Sequence, residues 1–403
     1  MGRRIWIVVG VGAAMVFITM GTRQSIGLFL KPVTADLGTD RETIALAVAA
    51  HNLILGLPLA AMLADRFGPR RVVATAGVVM GLGLAMASRA ESPFVFGISL
   101  AVLFGLAVSG SSFVVVIGAV GKAVPAHRQT FAFGLITAGA SVGMFAVVPI
   151  AQELIEAFGW RNALATLGLV AVMVIAGASR LLPADDGDGQ ARLPTAGPVD
   201  ALGATVARAF RNRSYLLLTA GFFVCGFHVA FIATHLPAYL TDEGLSDRVA
   251  AISLALVGLF NVGGSLAAGW LGDRFRRRTL LALLYLSRAV VMTVFLVAPL
   301  TAFSAIVFGA VIGVLWLSTV PLTSGLVAAM FGPRYLSTLF GIVFLSHQVG
   351  AFLGVWLGGR IFDSTGGYGP VWTIAVVLGV IAAAVHVPIA VTPERSTAPA
   401  VAS

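Results

Sequence analysis

Ala61-Met-Leu-Ala-Asp-Arg-Phe-Gly-Pro-Arg-Arg71 is a short basic turn set between two long apolar segments. It has an imperfect second copy, Gly269-Trp-Leu-Gly-Asp-Arg-Phe-Arg-Arg-Arg278. Asp65 and Asp273 lie about half the chain apart. A repeat at half the length predicts two related halves, each built on the same plan.

The surrounding composition says what kind of halves these are. The chain of 403 residues is 58% hydrophobic and only 11% charged, where soluble proteins average about 25% charged. That excludes a soluble globular class. Apolar runs of membrane-crossing length recur along the chain. They predict an all-α membrane protein with twelve transmembrane helices, roughly 5–30, 43–64, 72–89, 94–120, 130–152, 160–181, 214–240, 249–271, 279–299, 302–330, 335–361 and 368–391. The start, Met1-Gly-Arg-Arg-Ile-Trp, has the basic flank of a signal peptide but no small-residue cleavage site, so it is expected to remain as the first helix. Cys225 is the single cysteine, which excludes a disulfide framework and a Cys-rich metal site. No metal and no cofactor are expected.

Residues 183–213 interrupt the pattern with Asp185, Asp186, Asp188 and several Gly and Pro, then Arg208, Arg211 and Arg213. This is a polar linker between a first six-helix half, 1–182, and a second, 214–403. The net charge of +9 belongs mainly to one set of turns and to the N-terminus, and does not argue for nucleic acid. Arg3, Arg4, Arg66, Arg70, Arg71, Lys122, Arg128, Arg274, Arg276, Arg277, Arg278 and Arg334 share one side, while the opposite turns hold Asp36, Asp40, Glu42, Glu153, Glu156, Asp242, Glu243 and Asp247. Positive residues stay inside, which places both termini in the cytoplasm, and the plasma (inner) membrane is the expected location. The repeat also extends further. Phe133-Gly-Leu and Val142-Gly-Met-Phe145 line up with Phe340-Gly-Ile and Val349-Gly-Ala-Phe352. Gly350, Gly354 and Gly358 share one helix face, and small residues at that spacing let helices approach closely.

With these residues in view, a family resemblance follows. The stretch from Ala61 to Arg71 resembles the signature loop of the major facilitator superfamily, Gly-x-Leu-Ala-Asp-Arg-x-Gly-Arg-Arg/Lys after helix 2, with Ala61 in place of its first glycine. The copy after helix 8 stands where that superfamily has it. Within the superfamily the chain is most similar to the monocarboxylate and oxalate transporter branch. Gln24-Ser-Ile-Gly-Leu-Phe-Leu-Lys31 resembles that branch's helix-1 segment, and Phe158-Gly-Trp-Arg161 is another of its marks. Two positions depart from the branch. Its helix-1 lysine falls at Gln24, with Arg23 beside it, and its helix-8 arginine falls at Ser265, which cannot hold a carboxylate by charge. The resemblance implies two halves that rock about a central site lined by helices 1, 2, 4, 5, 7, 8, 10 and 11, in a monomer. It also implies that Asp65, Arg66, Gly68, Arg70, Arg71, Asp273 and Arg274 form a conformational gate, whose acids meet neighbouring helix ends when the inner side is closed.

Ionisable groups inside a membrane are costly and mark function by default. They are Arg23, His51, His228, His235, Arg288 and His347; the acids all lie in loops or near helix ends. A cation with no embedded acid to neutralise it favours an anionic ligand. Arg23 lies about 12 Å inward of Lys31 at ~1.5 Å per residue, and a guanidinium there can grip a carboxylate with two hydrogen bonds; otherwise it caps a helix end. His228 and His235 are about two turns apart on one face and, with His347 and His51, are candidate carriers of a proton or else neutral structural side chains. Arg288 falls on helix 9, peripheral in the family, so a structural role, such as bonding to freed backbone carbonyls, is favoured over binding. Asn261, Gln24, Thr234, Ser265, Trp316 and Thr319 offer neutral contacts.

Together these features predict a secondary transporter working by alternating access on small organic anions such as monocarboxylates, with a proton or by exchange. No phosphate-binding loop suggests direct use of ATP. A proton-coupled exporter of drugs or metabolites is the alternative, though the embedded acid such exporters commonly use is missing. A transporter-like sensor would want a longer linker or tail. An enzyme would want clustered carboxylates or a nucleophile with its base, and none is placed.

Overall fold

The computed structural model describes residues 3–57, 59–112, 115–116, 120, 124, 126–182, 199–331 and 336–390, without the side chains of Arg3, Arg4, Ala61, Asp65, 126–134, 199–202, Leu336 and Ser337. These residues are mostly helical, with no strand among them. In lipid every backbone N–H and C=O must be satisfied within its own segment, which leaves the helix as the form a single apolar run can take.

In the first half, α1 (Arg3–Ser25) continues through a 3₁₀ turn (Ile26–Phe29) into α2 (Leu30–Asp36). Next come α3 (Arg41–Gly56), α4 (Leu59–Phe67), α5 (Pro69–Ser88), α6 (Pro93–Ile98), α7 (Gly105–Gly110) and α8 (Ala126–Ala171). A short helix, α9 (Val199–Arg211), precedes the second half. That half holds α10 (Arg213–Asp242), α11 (Asp247–Arg274), α12 (Arg277–Val297), α13 (Ala302–Leu315), α14 (Thr319–Phe331), α15 (Leu336–Thr365) and α16 (Gly369–His386).

Among the described residues ten helices are long and apolar enough to cross a membrane. Two of the expected crossings are not separate helices in that count. The expected helix 43–64 is divided into α3 and α4, neither long enough alone. Leu57 leaves the helix (φ −73°, ψ 138°) because the residue before a proline, here Pro58, is driven to extended backbone. The expected helices 130–152 and 160–181 run together in Leu135–Leu181. They turn at Gly159, whose φ of 77° suits a residue without Cβ. The linker departs from expectation as well. Residues 183–198 lie outside the described ones, but 199–211 form a helix that buries Thr205 and Ala209 and ends at Asn212, whose side chain caps α10 through Tyr215 N–H.

Call the face where α1 begins the near face and the other the far face. Asp40, Ser92, Ser246 and Thr301 cap helices on the far face. The Thr43 hydrogen bonds hold the Asp40 carboxyl below its ordinary value. Within the halves α1 packs on α8 and α10 on α15. Here the sequence repeat becomes a packing repeat. A Cβ at Gly143 would meet the Phe17 carbonyl at 2.1 Å, and one at Gly350 the Phe223 carbonyl at 2.0 Å. Gly354 and Gly358 continue the second contact, against the Phe227 carbonyl and the His235 ring. That glycine stripe therefore packs inside one half. The halves meet where α3 lies along α15, α8 along α11, and the Ile26–Phe29 turn against α10.

Candidate functional site

Arg23 is half-buried in α1, where the wall of α3 stands opposite. Its Nη2 donates to Asn52 Oδ1 at 2.8 Å. Its Nε is buried without a partner, as are Thr22 Oγ1, Gln24 Nε2 and His51 Nε2. No ion pair among the described residues includes Arg23. Unmade hydrogen bonds in such a place cost about 1–3 kcal/mol each, and the fold leaves this group of polar atoms around Arg23 unsatisfied.

The second half reaches the same place through α15. Gln348 Nε2 donates to the Asn52 carbonyl at 3.0 Å, and Gln348 Oε1 meets His347 Nδ1 at 2.9 Å. His347 stacks on Phe344, the ring centroids 5.6 Å apart. A Cβ at Gly56 would touch the Gln348 side chain at 2.7 Å, so α3 and α15 touch closely here. The structure thus joins Arg23, His51 and His347 through Asn52 and Gln348.

It places the other candidates elsewhere. His228 and His235 do share a face of α10, but that face is turned toward α15 and α16. His228 Nε2 is 2.7 Å from the Ala375 carbonyl. His235 Nε2 is 2.8 Å from the Val355 carbonyl and its Nδ1 3.1 Å from the Tyr368 hydroxyl. Asn261 donates to Ser141 Oγ at 3.1 Å, across to the first half, while its Oδ1 accepts from Leu317 N–H at 3.0 Å and from Ser265 Oγ at 3.1 Å.

That Leu317 contact marks a break in the expected helix 302–330. Between α13 and α14, three residues leave the helix. A helix end exposes carbonyls at its negative pole. Arg288 supplies donors for them, as expected of it. Its Nε and Nη2 reach the Leu315 carbonyl at 3.1 and 2.5 Å, Nη2 also reaches the Trp316 carbonyl, and Nη1 lies 3.4 Å from Cys225 Sγ. Cys225 Sγ in turn sits 3.2 Å from Thr319 Oγ1, so the break is held from α10, α11 and α12.

At the far face the halves are tied by charge. Asp242 at the end of α10 pairs with Lys31 at 2.9 Å and with Arg41. Arg41 also donates to the Tyr368 hydroxyl at 3.0 Å and lies 3.7 Å from the centre of the Phe362 ring. Glu42 accepts from Arg360 at 3.1 Å and from Trp356 Nε1 at 2.9 Å. Asp363 accepts from the Arg41 and Glu42 backbone N–H groups, capping α3 from the other half. Near-face contacts are different. Asp273 meets Arg277 at 3.6 Å within its own half, Arg274 lies over Trp270, and Arg66 over Phe67. Gly68, with φ 89°, makes the turn before Pro69. Arg70 and Arg71 each have partners, and the Asp65 side chain lies outside the described residues. A cavity of about 540 Å³ opens on this face by Gly272, Phe275, Arg276, Arg277 and Arg278, apart from the Arg23 site. Among the described residues every ion pair between the halves is on the far face.

A family model described as Major Facilitator Superfamily matches residues 12–324. The chain belongs to the major facilitator superfamily. It is 26% identical over 366 residues to the uncharacterized MFS-type transporter YcxA of Bacillus subtilis, covering 86% of this chain and 85% of that one. It is 28% identical over 383 residues to monocarboxylate transporter 11 of Mus musculus, covering 90% and 82%. Among solved structures it is similar to a bacterial homologue of the human lysosomal transporter Spinster in an inward-facing, unoccupied conformation, with TM-score 0.78, 16% identity and 96% and 97% coverage. It also resembles the inward-open xylose transporter XylE from E. coli, with TM-score 0.72, 14% identity and 98% of each chain covered. At those identities the two structures speak for the fold.

The far-face ion pairs thus tie the two halves of this superfamily transporter together on one side. In the sequence Asp242 and Glu42 stand out only as acids of the turns, and Lys31 only as the end of the helix-1 segment. The signal for more was present: acids and bases of opposite sign end helices of both halves on that face. Asn52 and Gln348 carried no such signal, because neutral amides are common wherever helices touch.

Proposed function

We propose that this superfamily transporter carries small organic anions, monocarboxylates foremost, by alternating access, together with a proton or in exchange. In this reading it is a monomeric carrier rather than an enzyme, set in the cytoplasmic membrane with both termini inside. The far-face ion pairs are then the closed outer gate. The observation that carries the reading is Arg23, a half-buried guanidinium with one neutral partner and unpartnered donors beside it. A carboxylate takes two hydrogen bonds from such a fork and cancels its charge. The likeness to monocarboxylate transporters supports the same substrate class.

The test is uptake by purified protein in liposomes, with labelled L-lactate, pyruvate and other small carboxylates, with and without an inward proton gradient. Gradient-stimulated uptake that Arg23→Ala abolishes is the expected result. Uptake indifferent to the gradient would point to exchange. Folded protein that moves none of the carboxylates would sink the assignment.

A further inference from the structure

We infer that His51 is the residue that ties proton movement to anion binding at Arg23, an inference that rests on the carboxylate reading above. Its ground is one shared carbonyl. The Val48 carbonyl accepts from Asn52 Nδ2 at 2.9 Å and lies 3.0 Å from His51 Nδ1. A carbonyl only accepts, so the Nδ1 nitrogen carries hydrogen. The neutral ring therefore keeps its bare lone pair at Nε2, which is buried with no partner. The same Asn52 presents its Oδ1 to Arg23. Guanidinium and imidazole are thus the two ends of one hydrogen-bonded chain, running Arg23, Asn52, the Val48 carbonyl, His51.

A second cation beside a buried guanidinium is disfavoured by repulsion, which grows as water is excluded. A carboxylate on Arg23 removes that repulsion. His51 Nε2 then takes a proton from water on the loading side and returns it to water when the carboxylate leaves on the other. No other bond changes. The loaded site of guanidinium, carboxylate and imidazolium has the same net charge as the empty one, so full and empty carriers cross the membrane field alike.

The groups facing His51 allow this. From α1 comes Arg23. From the stretch between α6 and α7 comes the Phe104 ring, 5.4 Å away between centroids, with Gly105 beyond it. From α15 comes the neutral Gln348, bonded to the neighbouring Asn52 carbonyl and to His347 Nδ1, while the His347 ring itself lies against Phe222 and Phe344. The charges of α2 and the far end of α15, namely Lys31, Asp36, Arg360 and Asp363, lie at the far face, and the pairs that engage α3 do so at its opposite end, at Arg41 and Glu42. No carboxylate competes with a bound anion.

The experiment is L-lactate binding to the purified full chain in weakly buffered detergent, followed by calorimetry and a pH dye. Wild-type protein should take up about one proton per lactate bound, and over the pH range where it does so its Kd should rise about tenfold per pH unit, as linkage requires. His51→Asn keeps a donor for the Val48 carbonyl but loses the titrating nitrogen. It should bind L-lactate with little proton uptake. In liposomes it should keep lactate–lactate exchange while gradient-driven uptake falls about tenfold or more. His51→Gln is the second variant, for use if His51→Asn does not bind. Lactate binding by wild type with no proton uptake, or proton uptake undiminished in both variants, overturns the role of His51 and leaves the carboxylate reading standing. Folded wild-type protein that binds neither L-lactate nor pyruvate overturns both.

Discussion

Arg23 and Arg288 are the same residue in the same kind of place, inside a membrane helix, and they do opposite things. Arg288 is 1% exposed and spends its donors on the chain itself, at the Leu315 and Trp316 carbonyls and Cys225 Sγ. It also lies over the Tyr285 ring, 5.4 Å from its centre. Arg23 has one neutral partner and an idle Nε. A buried guanidinium costs several kcal/mol unless its hydrogens are used. Where the backbone uses them, the residue braces the fold. Where nothing does, a ligand can. The break between α13 and α14 is what makes the difference, because a helix end in lipid must find donors.

The comparison fails first if Arg288 can be removed cheaply. Arg288→Met leaves two carbonyls of a broken helix without donors, and should cost about 3–5 kcal/mol of stability, at roughly 1–3 kcal/mol per lost partner plus the lost packing. A thermal melt in detergent reads this directly. Arg288→Lys should recover only part, since an ammonium lacks the planar fork. A melt unchanged in Arg288→Met would mean that the brace lies elsewhere, at Asn261.

The mirror experiment is Arg23→Ala. It should leave the melt within about 0.5 kcal/mol of wild type. L-lactate affinity should fall about 10- to 100-fold, the worth of one charge-assisted hydrogen bond at about 1.5–3 kcal/mol. If Arg23→Ala melts as early as Arg288→Met, the two arginines are both braces and the distinction collapses.

A pair of neighbouring glycines sharpens the structural side. Gly264 sits beside the break, and a Cβ there would meet the Val314 carbonyl at 1.9 Å, whereas at Gly263 nothing lies within 4 Å. Gly264→Ala should push α11 off the end of α13 and cost about 1–3 kcal/mol, as overpacking does. Gly263→Ala should be neutral or stabilising by up to about 1 kcal/mol, because a helical glycine gains by acquiring a methyl group. Equal melts for the two would show that the close approach of α11 to the break is not as tight as described.

Much of this was legible beforehand, and unevenly. Apolar runs and the doubled Asp-Arg-Phe turn were enough for the two-half helical architecture, because bilayer thickness fixes helix length whatever the packing. Arg288 could be read as a brace, since a charge at the middle of a peripheral helix has few other uses. Which way each histidine points could not be read. His51 and His228 look alike in sequence, both on helices expected to line the cavity. Yet one is chained to Arg23 through Asn52 and the other is turned to the Ala375 carbonyl. Helix rotation decides this, and it is set by contacts such as Gly350 against Phe223, which span the half. The break at Leu57 was announced by Pro58, but the one after Leu315 begins at Trp316, three residues ahead of Thr319 and five ahead of Pro321, with no local breaker in between. It exists because Arg288 and Asn261 satisfy what it frees.

The smallest expected effect concerns access rather than energy at either arginine. Asp242 joins Lys31 and Arg41 across the far face with a side chain only 24% exposed. Asp242→Asn keeps the shape and removes the charge, which should weaken far-face closure by about 1 kcal/mol, the upper range for a partly exposed pair. A shift of that size raises the population open to the far face about fivefold. Phenylglyoxal, added from that side to oriented vesicles, reacts with guanidinium groups and can be mapped by peptide mass. It should modify Arg23 several times faster in Asp242→Asn than in wild type, and L-lactate should protect it. Arg288 should stay unmodified in both, since its donors are taken whichever face is open. Modification of Arg288 rising in step with Arg23 would mean that the variant loosens the whole second half, and that Asp242 holds the fold together rather than the gate.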